Sequence, residues 1–306
     1  MKALLTKITA VSAAIPVFLC GISLAGGAGS SSLYSMTQPP SARSSALSGA
    51  CTALSGSLSL MQYNPASLLG IPGFSISTSY QAIGTREYHT TAMAGFGFEN
   101  SAVGVGIKYY DTGTISIYDS YGYEVSGRGQ RDMIFMLGSA QDFEFITAGL
   151  NLKMFFSEIF GESAFGFAGD AGCLFPLSQG LDAGFSIQNF GTPAKYIERK
   201  ESLPLIIRGA LAYSSSLGEN DYTVSLDLPY YVNENHFFIK TGVEFQVHEL
   251  LTLMAGGVLT PGSGNDTDRK LSAGWSFGSE SLRIVYSVNL ASDLDSPQHV
   301  STELRF

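Results

Sequence analysis

The sequence predicts an all-β protein: an antiparallel transmembrane β-barrel of about fourteen strands, holding a short helical N-terminal hatch in its lumen. Three observations predict it. From Phe74 onward, apolar and polar residues alternate with a period of two in runs of about ten. The links between runs also alternate, short after even-numbered strands and generally longer after odd-numbered ones. A stretch of small, nearly uncharged residues, 41–69, precedes the first strand and reads unlike anything after it.

The N-terminus has the layout of a secretory signal peptide over residues 1–28. Lys2 and Lys7 form a positive start, 8–24 is apolar, and Ala25 and Ala28 are candidate cleavage positions. Pro16 and the short apolar run fit poorly with a membrane anchor, and Leu19 before Cys20 fits poorly with lipidation. No later segment reaches 18 consecutive apolar residues, so the exported chain is either soluble or an outer-membrane barrel, and the strand pattern points to the barrel, expected as a monomer. The division that follows is leader 1–28, hatch 29–72 and barrel 73–306. The net charge is −9 with only 14% charged residues, which leaves no basic surface for nucleic acid. Beyond the leader only Cys51 and Cys173 remain, too few for a disulfide framework and expected as buried small hydrophobes.

The expected strands are 73–82, 88–98, 101–110, 131–141, 144–156, 164–174, 181–189, 205–215, 221–229, 236–247, 251–260, 270–277, 281–290 and 298–306. The run from His236 to Val247 is the clearest. Phe237, Ile239, Thr241, Val243, Phe245 and Val247 share one face, and His236, Lys240, Gly242, Glu244 and Gln246 the other, with Phe238 out of phase. Runs this long exceed the usual strand of ~5–6 residues and match the ~9–11 of a tilted membrane strand. The longest links, 111–130 and 190–204, lie on one rim, and Thr114 to Tyr118 suggests a hairpin extending above it. Tyr80, Tyr88, Tyr109, Tyr213, Tyr230, Tyr231, Trp275 and Tyr286 fall near strand ends, where an aromatic girdle belongs. The chain closes on an alternating strand ending in Phe306, which looks like the signal read by the outer-membrane barrel assembly machinery.

In the stretch before the barrel, 42–54 predicts a helix with Ser41 as N-cap and Gly56 as terminator. Pro65 breaks it, and a second turn over 66–69 ends at Gly70. The order Arg43, Ala46-Leu47-Ser48-Gly49-Ala50, Thr52-Ala53 and Tyr63-Asn64-Pro65-Ala66-Ser67-Leu68 resembles the hatch of FadL-type outer-membrane transporters. The likeness is strongest to the PorV/PorQ-like branch with its spirochaete members. Arg43, Gly49, Asn64, Pro65 and Ala66 carry that motif. The acidic residues that often stand between helix and Asn-Pro-Ala in such families are replaced here by Gly56-Ser57-Leu58-Ser59. The resemblance implies a plugged barrel that takes up hydrophobic small molecules, such as long-chain fatty acids, and releases them sideways into the bilayer. It equally admits a PorV-like barrel that binds or anchors secreted proteins through its long loops. A non-specific porin is a further alternative, and a soluble periplasmic β-protein, extractable without detergent, is another.

Leu60, Met61, Tyr63, Ile134, Met136, Met254 and Val258 are the candidate ligand-binding residues of the lumen and hatch, and packing against the hatch is the competing role for the same side chains. A lumen carrying them is expected to be apolar. Gly104 and Gly106 are candidates for a lateral opening because paired glycines weaken a strand, and close packing is their alternative role. The four histidines show no metal spacing, there is no Gly-x-Ser-x-Gly elbow or phosphate loop, and neither catalysis nor a cofactor is expected. Asn265, Asp266 and Asp268 read as a solvated acidic loop rather than a calcium site.

Overall fold

The computed structural model describes residues 31–118, 121–261, 270–290 and 296–306. The leader and the acidic loop around Asp266 lie outside the described residues. Fourteen long strands form the wall: β1 (Phe74–Ile83), β2 (Glu87–Gly97), β3 (Ser101–Asp111), β4 (Gln130–Asp142), β5 (Thr147–Ile159), β6 (Glu162–Ser178), β7 (Leu181–Gly191), β8 (Ile206–Leu217), β9 (Asn220–Tyr231), β10 (Ile239–His248), β11 (Leu251–Leu259), β12 (Lys270–Gly278), β13 (Leu282–Asn289) and β14 (Gln298–Arg305). Each pairs antiparallel with its sequence neighbours, and β1 pairs with β14 to close the ring. Closure leaves no strand edge unpaired, which is the condition for spanning hydrocarbon with sheet.

Alternation decides which face is which. In β1, Ser75, Ser77, Ser79 and Gln81 are buried while Phe74 and Tyr80 are exposed. Val103, Val105, Leu137, Leu150, Leu152, Phe165, Phe167 and Leu253 continue the exposed set around the wall. A ten-residue strand is about 34 Å long, hence about 24 Å along the membrane normal at ~45° tilt, close to the ~25 Å apolar band of outer-membrane barrels. Aromatic side chains mark both edges of that band. Tyr80 stacks on Tyr88, with ring centres 5.9 Å apart, and Tyr88 meets Tyr109 at one rim. Phe74 meets Phe306, and Tyr213 meets Tyr222, at the other. Tyr231 departs from the expected girdle, because it falls in the inward phase of β9 with Ser225 and Asp227.

Both ends of the wall lie at the rim of short turns, as do the two-residue links after β6, β8 and β10. At the opposite rim, Thr114–Tyr118 pairs with Glu124–Arg128 as a hairpin within the link after β3, and 192–205 carries a smaller one, Ala194–Tyr196 against Arg199–Glu201. The strands are offset from the expected ranges by up to about three residues in most cases, and two larger departures have physical reasons. The run 236–247 breaks at Phe238, the residue out of phase, leaving His236–Phe237 as a separate short piece. The strand expected over 164–174 begins at 162, because Phe160 and Gly161 make a tight positive-φ turn and leave no loop before it, and it runs on to 178, where a two-residue turn leads into β7.

A fourteen-strand ring is too wide for its own side chains to fill. The segment 31–73 fills it. Ser31 bridges Ser202 in the 192–205 loop at the long-loop rim, and Gly73 delivers the chain to β1 at the short-turn rim. The hatch thus runs the height of the lumen. Its elements are short: a 3-10 turn Tyr34–Thr37, the helix α1 (Ala42–Ala46), and 3-10 turns Leu58–Gln62 and Pro65–Leu68. The helix expected over 42–54 stops at Leu47. Ser48 and Gly49 both take positive φ (53° and 77°), and the Gly49 N–H donates to the Ser44 carbonyl, 2.8 Å, so the chain turns eight residues before Gly56.

Candidate functional site: the hatch and the lumen wall

The hatch is fastened to the wall by backbone and side chain together. Ser41 caps α1 as expected, its hydroxyl accepting from the Ser44 N–H while Ser44 Oγ accepts from the Ser41 N–H. That orients Arg43 toward β10, where its guanidinium donates two 2.7 Å bonds to Glu244. The Leu47–Ser48 backbone lies against Gly256 of β11, where an added Cβ would stand 2.4 Å from the Leu47 carbonyl carbon. Gly49 is less crowded, a Cβ there meeting Lys240 Nζ at 3.1 Å and the Tyr63 hydroxyl at 3.3 Å, and its φ of +77° is what asks for glycine.

Asn64 ties the second half. Its Oδ1 accepts from the Ala66 N–H (3.1 Å), and its Nδ2 donates to the carbonyls of Thr52 (2.8 Å) and of Cys173 in β6 (3.0 Å). Pro65 at the first position of the turn fixes φ and has no N–H to satisfy. The Pro65–Ala66 peptide presses on Gly149 and the Asn64 side chain on Gly172, where a Cβ would sit 2.4 Å and 2.1 Å away respectively. The Asn-Pro-Ala turn therefore seats in a groove that two wall glycines leave open.

The wall facing the hatch is not the apolar surface expected. Its buried inward side chains include Lys108, Asp132, Lys153, Asp170, Arg208 and Asp227. Lys108 donates to the Gln38 carbonyl (2.6 Å), and Asp132 accepts from Ser35 of the hatch and Ser157 of β5. Lys153 holds Asp170 at 2.8 Å and Asn189 at 2.6 Å. Arg208 lies 3.5 Å from Asp227 and over the Tyr63 ring, 4.9 Å from its centre, while Asp227 accepts from the N–H groups of Cys51 and Thr52. Lys108, Arg208 and Asp227 answer polar backbone groups of a hatch with little regular structure, which need partners once sealed from water, while Lys153 and Asp170 answer each other within the wall. Their sequence signal is a charged residue at the inward phase of a strand, as Lys153 stands between Leu152 and Met154.

The seven candidate ligand residues do not meet in one place. Met61, Ile134 and Met136 join a cluster with Leu68, Met93 and Phe155, which runs up to Ala194 and Leu203 of the 192–205 loop. Leu60, Tyr63 and Met254 belong to a second cluster beside α1, with Ala212 and Val285. Val258 faces inward on β11, half-buried and outside both. The room in both clusters is taken by the hatch. A cavity of about 140 Å³ near the short-turn rim is polar, lined by Arg43, Asp221, Glu244, Arg283 and Glu303 among others.

Gly104 and Gly106 likewise face the hatch. A Cβ on Gly104 would meet Leu68 at 3.1 Å and Met61 at 3.3 Å, and β3 pairs in continuous register on both sides. The wall's register breaks elsewhere. Between β6 and β7 it shifts at Gly169/Ala171, where Asn189 takes φ +61° and its N–H donates to Asp170 Oδ1. Cys51 and Cys173 are free thiols. Burial pushes the Cys51 thiol up to about 12. Phe306 ends the wall, its N–H donating to the Phe74 carbonyl.

A plugged, closed barrel with an apolar belt is the architecture of an outer-membrane protein. No protein-family model matches the sequence, and no curated protein does. The fold is nevertheless shared with solved structures. The toluene transporter TodX of Pseudomonas putida superposes with a TM-score of 0.68, at 11% identity over 87% of this chain and 98% of that one. The toluene transporter TbuX of Ralstonia pickettii superposes with 0.64, at 11% identity over 87% and 98%. A Pseudomonas aeruginosa FadL homologue gives 0.55, at 9% identity over 86% and 97%. The likeness is to FadL-type barrels broadly and singles out no PorV/PorQ branch.

Proposed function

We propose that the chain is an outer-membrane transporter of small hydrophobic molecules, with long-chain fatty acids as the first class to test. The observation that carries this reading is the one-sided apolar cluster. It begins at Ala194 and Leu203 near the long-loop rim and continues through Phe155, Ile134 and Met136 to Met61 on the hatch. A water-filled pore has no use for such a track, whereas a displaced hatch would hand its apolar contacts to a ligand. The fold shared with TodX and TbuX, described as toluene transporters, supports the same class and makes aromatic hydrocarbons the competing substrate. Sideways release is proposed at the β6–β7 irregularity, which adjoins Ala164 and Ala168 of that cluster, rather than at Gly104 and Gly106.

The test is ligand identification by mass spectrometry on purified protein, followed by binding of radiolabelled fatty acid and of toluene. Saturable binding of either supports transport, and the stronger one names the class. Ion conductance with no binding of either would replace the proposal with a porin.

One observation favours a protein-binding role as a second reading. The 114–128 hairpin exposes Ile117, Tyr118, Tyr121 and Tyr123 above the rim, with Tyr121 85% exposed. Deleting the hairpin should then abolish capture of a secreted protein while sparing small-molecule binding.

A further inference from the structure

We propose that His89 and His299 form a binding site for one divalent transition-metal ion of the zinc or copper(II) kind, buried between the hatch and the seam that closes the barrel. The proposal does not depend on what the barrel carries. His89 of β2, Gln81 of β1, His299 of β14 and Ser287 of β13 stand opposite one another in a single row across four neighbouring strands. All four face inward and none is more than 1% exposed. Among the described residues, neither nitrogen of either ring has a hydrogen-bond partner, and the same holds for Gln81 Oε1, Ser287 Oγ and, two residues along β2, Thr91 Oγ1. Buried polar atoms are normally paired. Here four ring nitrogens and three oxygens are left over in one place.

The ring geometry suits a shared ion. Zinc–nitrogen bonds of ~2.0–2.1 Å put an imidazole centre about 3.2 Å from the ion, so two rings at a tetrahedral angle stand about 5.3 Å apart. The rings of His89 and His299 are 5.6 Å apart, with their planes at 83°. Imidazole nitrogen with neutral oxygen favours zinc or copper(II), and the row offers none of the carboxylates that calcium and magnesium require. Among the described residues no three His, Cys, Asp or Glu side chains gather, so the site rests on two imidazoles completed by amide and hydroxyl oxygens.

Lys108 is the nearby cation opposing such an ion. Its ammonium is engaged with the hatch, donating to the Gln38 carbonyl at 2.6 Å and reaching Gln62 Oε1 at 3.4 Å. The hatch encloses the row by that bond and two others, Ser79 Oγ to the Pro40 carbonyl (2.8 Å) and the Ala42 N–H to Ser301 Oγ (3.3 Å). An ion here would clip β2 to β14 across β1, beneath residues 38–42.

The test refolds the full chain into detergent with one equivalent of copper(II) or zinc, desalts it, and measures metal per folded barrel, with the folded fraction read from the heat-shifted gel band. About one ion per barrel is expected, reduced ~10-fold or more in His89→Phe and His299→Phe. The His236→Ala/His248→Ala double variant should keep it. Copper(II) electron paramagnetic resonance of the unaltered chain should show coupling to two imidazole nitrogens, a readout independent of whether the variants fold. An unaltered chain that retains no metal would assign the row to ordered water alone and overturn the proposal. So would retention unchanged in both single variants, or coupling to one nitrogen or none.

Discussion

Replacing Asn64 by Ala should loosen the hatch without opening the wall. The change removes three hydrogen bonds: to the Ala66 N–H, the Thr52 carbonyl and the Cys173 carbonyl. The Cys173 bond crosses to the wall and the other two hold the turn within the hatch, so at ~0.5–1.5 kcal/mol net each an opening that unfolds the turn is favoured by about 1.5–4.5 kcal/mol, and at ~1.4 kcal/mol per decade its population rises ~10- to ~10³-fold. Cys51 reports it. The thiol is fully buried, and burial raises it to about 12, whereas an exposed thiol near its usual ~8.5 reacts readily as thiolate. Alkylation at pH 8 therefore proceeds through hatch opening. With Cys173→Ser in the background, labelling of Cys51 should speed up by about that factor, while heat-modifiable mobility stays unchanged because no wall pairing is touched. Labelling within about twofold of the parent rate, at equal folded fraction, would show that these bonds do not hold the hatch and refute the reasoning.

Gly172→Val should unseat the same turn sterically, since its Cβ would lie 2.1 Å from Asn64 Oδ1, whereas Gly209→Ala has nothing within 4 Å of its Cβ. Bilayer conductance should rise for the first and not the second. Asp170→Asn should leave Lys153 buried without its counter-ion and lower barrel stability by about 3–5 kcal/mol in urea refolding, with Lys153→Met/Asp170→Leu recovering much of that loss. Arg43→Ala should raise conductance more than Arg43→Ala/Glu244→Ala, because the single change leaves Glu244 facing the lumen unpaired. Deleting Phe306 should lower the amount of folded barrel assembled in cells, measured on heat-shifted gels.

Strand number, phase and the long-loop rim were legible because a membrane wall imposes one rule on every strand: apolar out, period two. Phe238 broke that phase, and the strand breaks there. The lumen was harder to read. Ile134 and Met136 suggested an apolar interior, but Ser75, Gln81, Lys153 and Arg208 occupy the same inward phase elsewhere. What faces inward is set by the backbone groups of a hatch folded from distant residues, a three-dimensional match that a one-dimensional pattern does not carry. Gly104, Gly149 and Gly172 illustrate this. In sequence a glycine in a strand signals weakness, while here each leaves space for a particular atom of the hatch. The helix end failed for a local reason, since Ser48-Gly49 could either continue or turn, and tight seating beside Lys240 and Tyr63 favours the turn.

The segment in the lumen is held at both ends. Gly73 continues into β1 at one rim, and at the other the Ser32 N–H donates to the Ser202 carbonyl, 2.9 Å, beside the Ser31–Ser202 bridge. Mechanically this is a clamped beam rather than a door on one hinge. A beam held at both ends can bow only at its middle, and here the middle is tied as well, by Arg43 to Glu244 and by Asn64 to the Cys173 carbonyl, so a displacement there must break those ties. Cutting the outer clamp would release only the stretch before Ser35, whose hydroxyl makes the next tie to the wall, at Asp132.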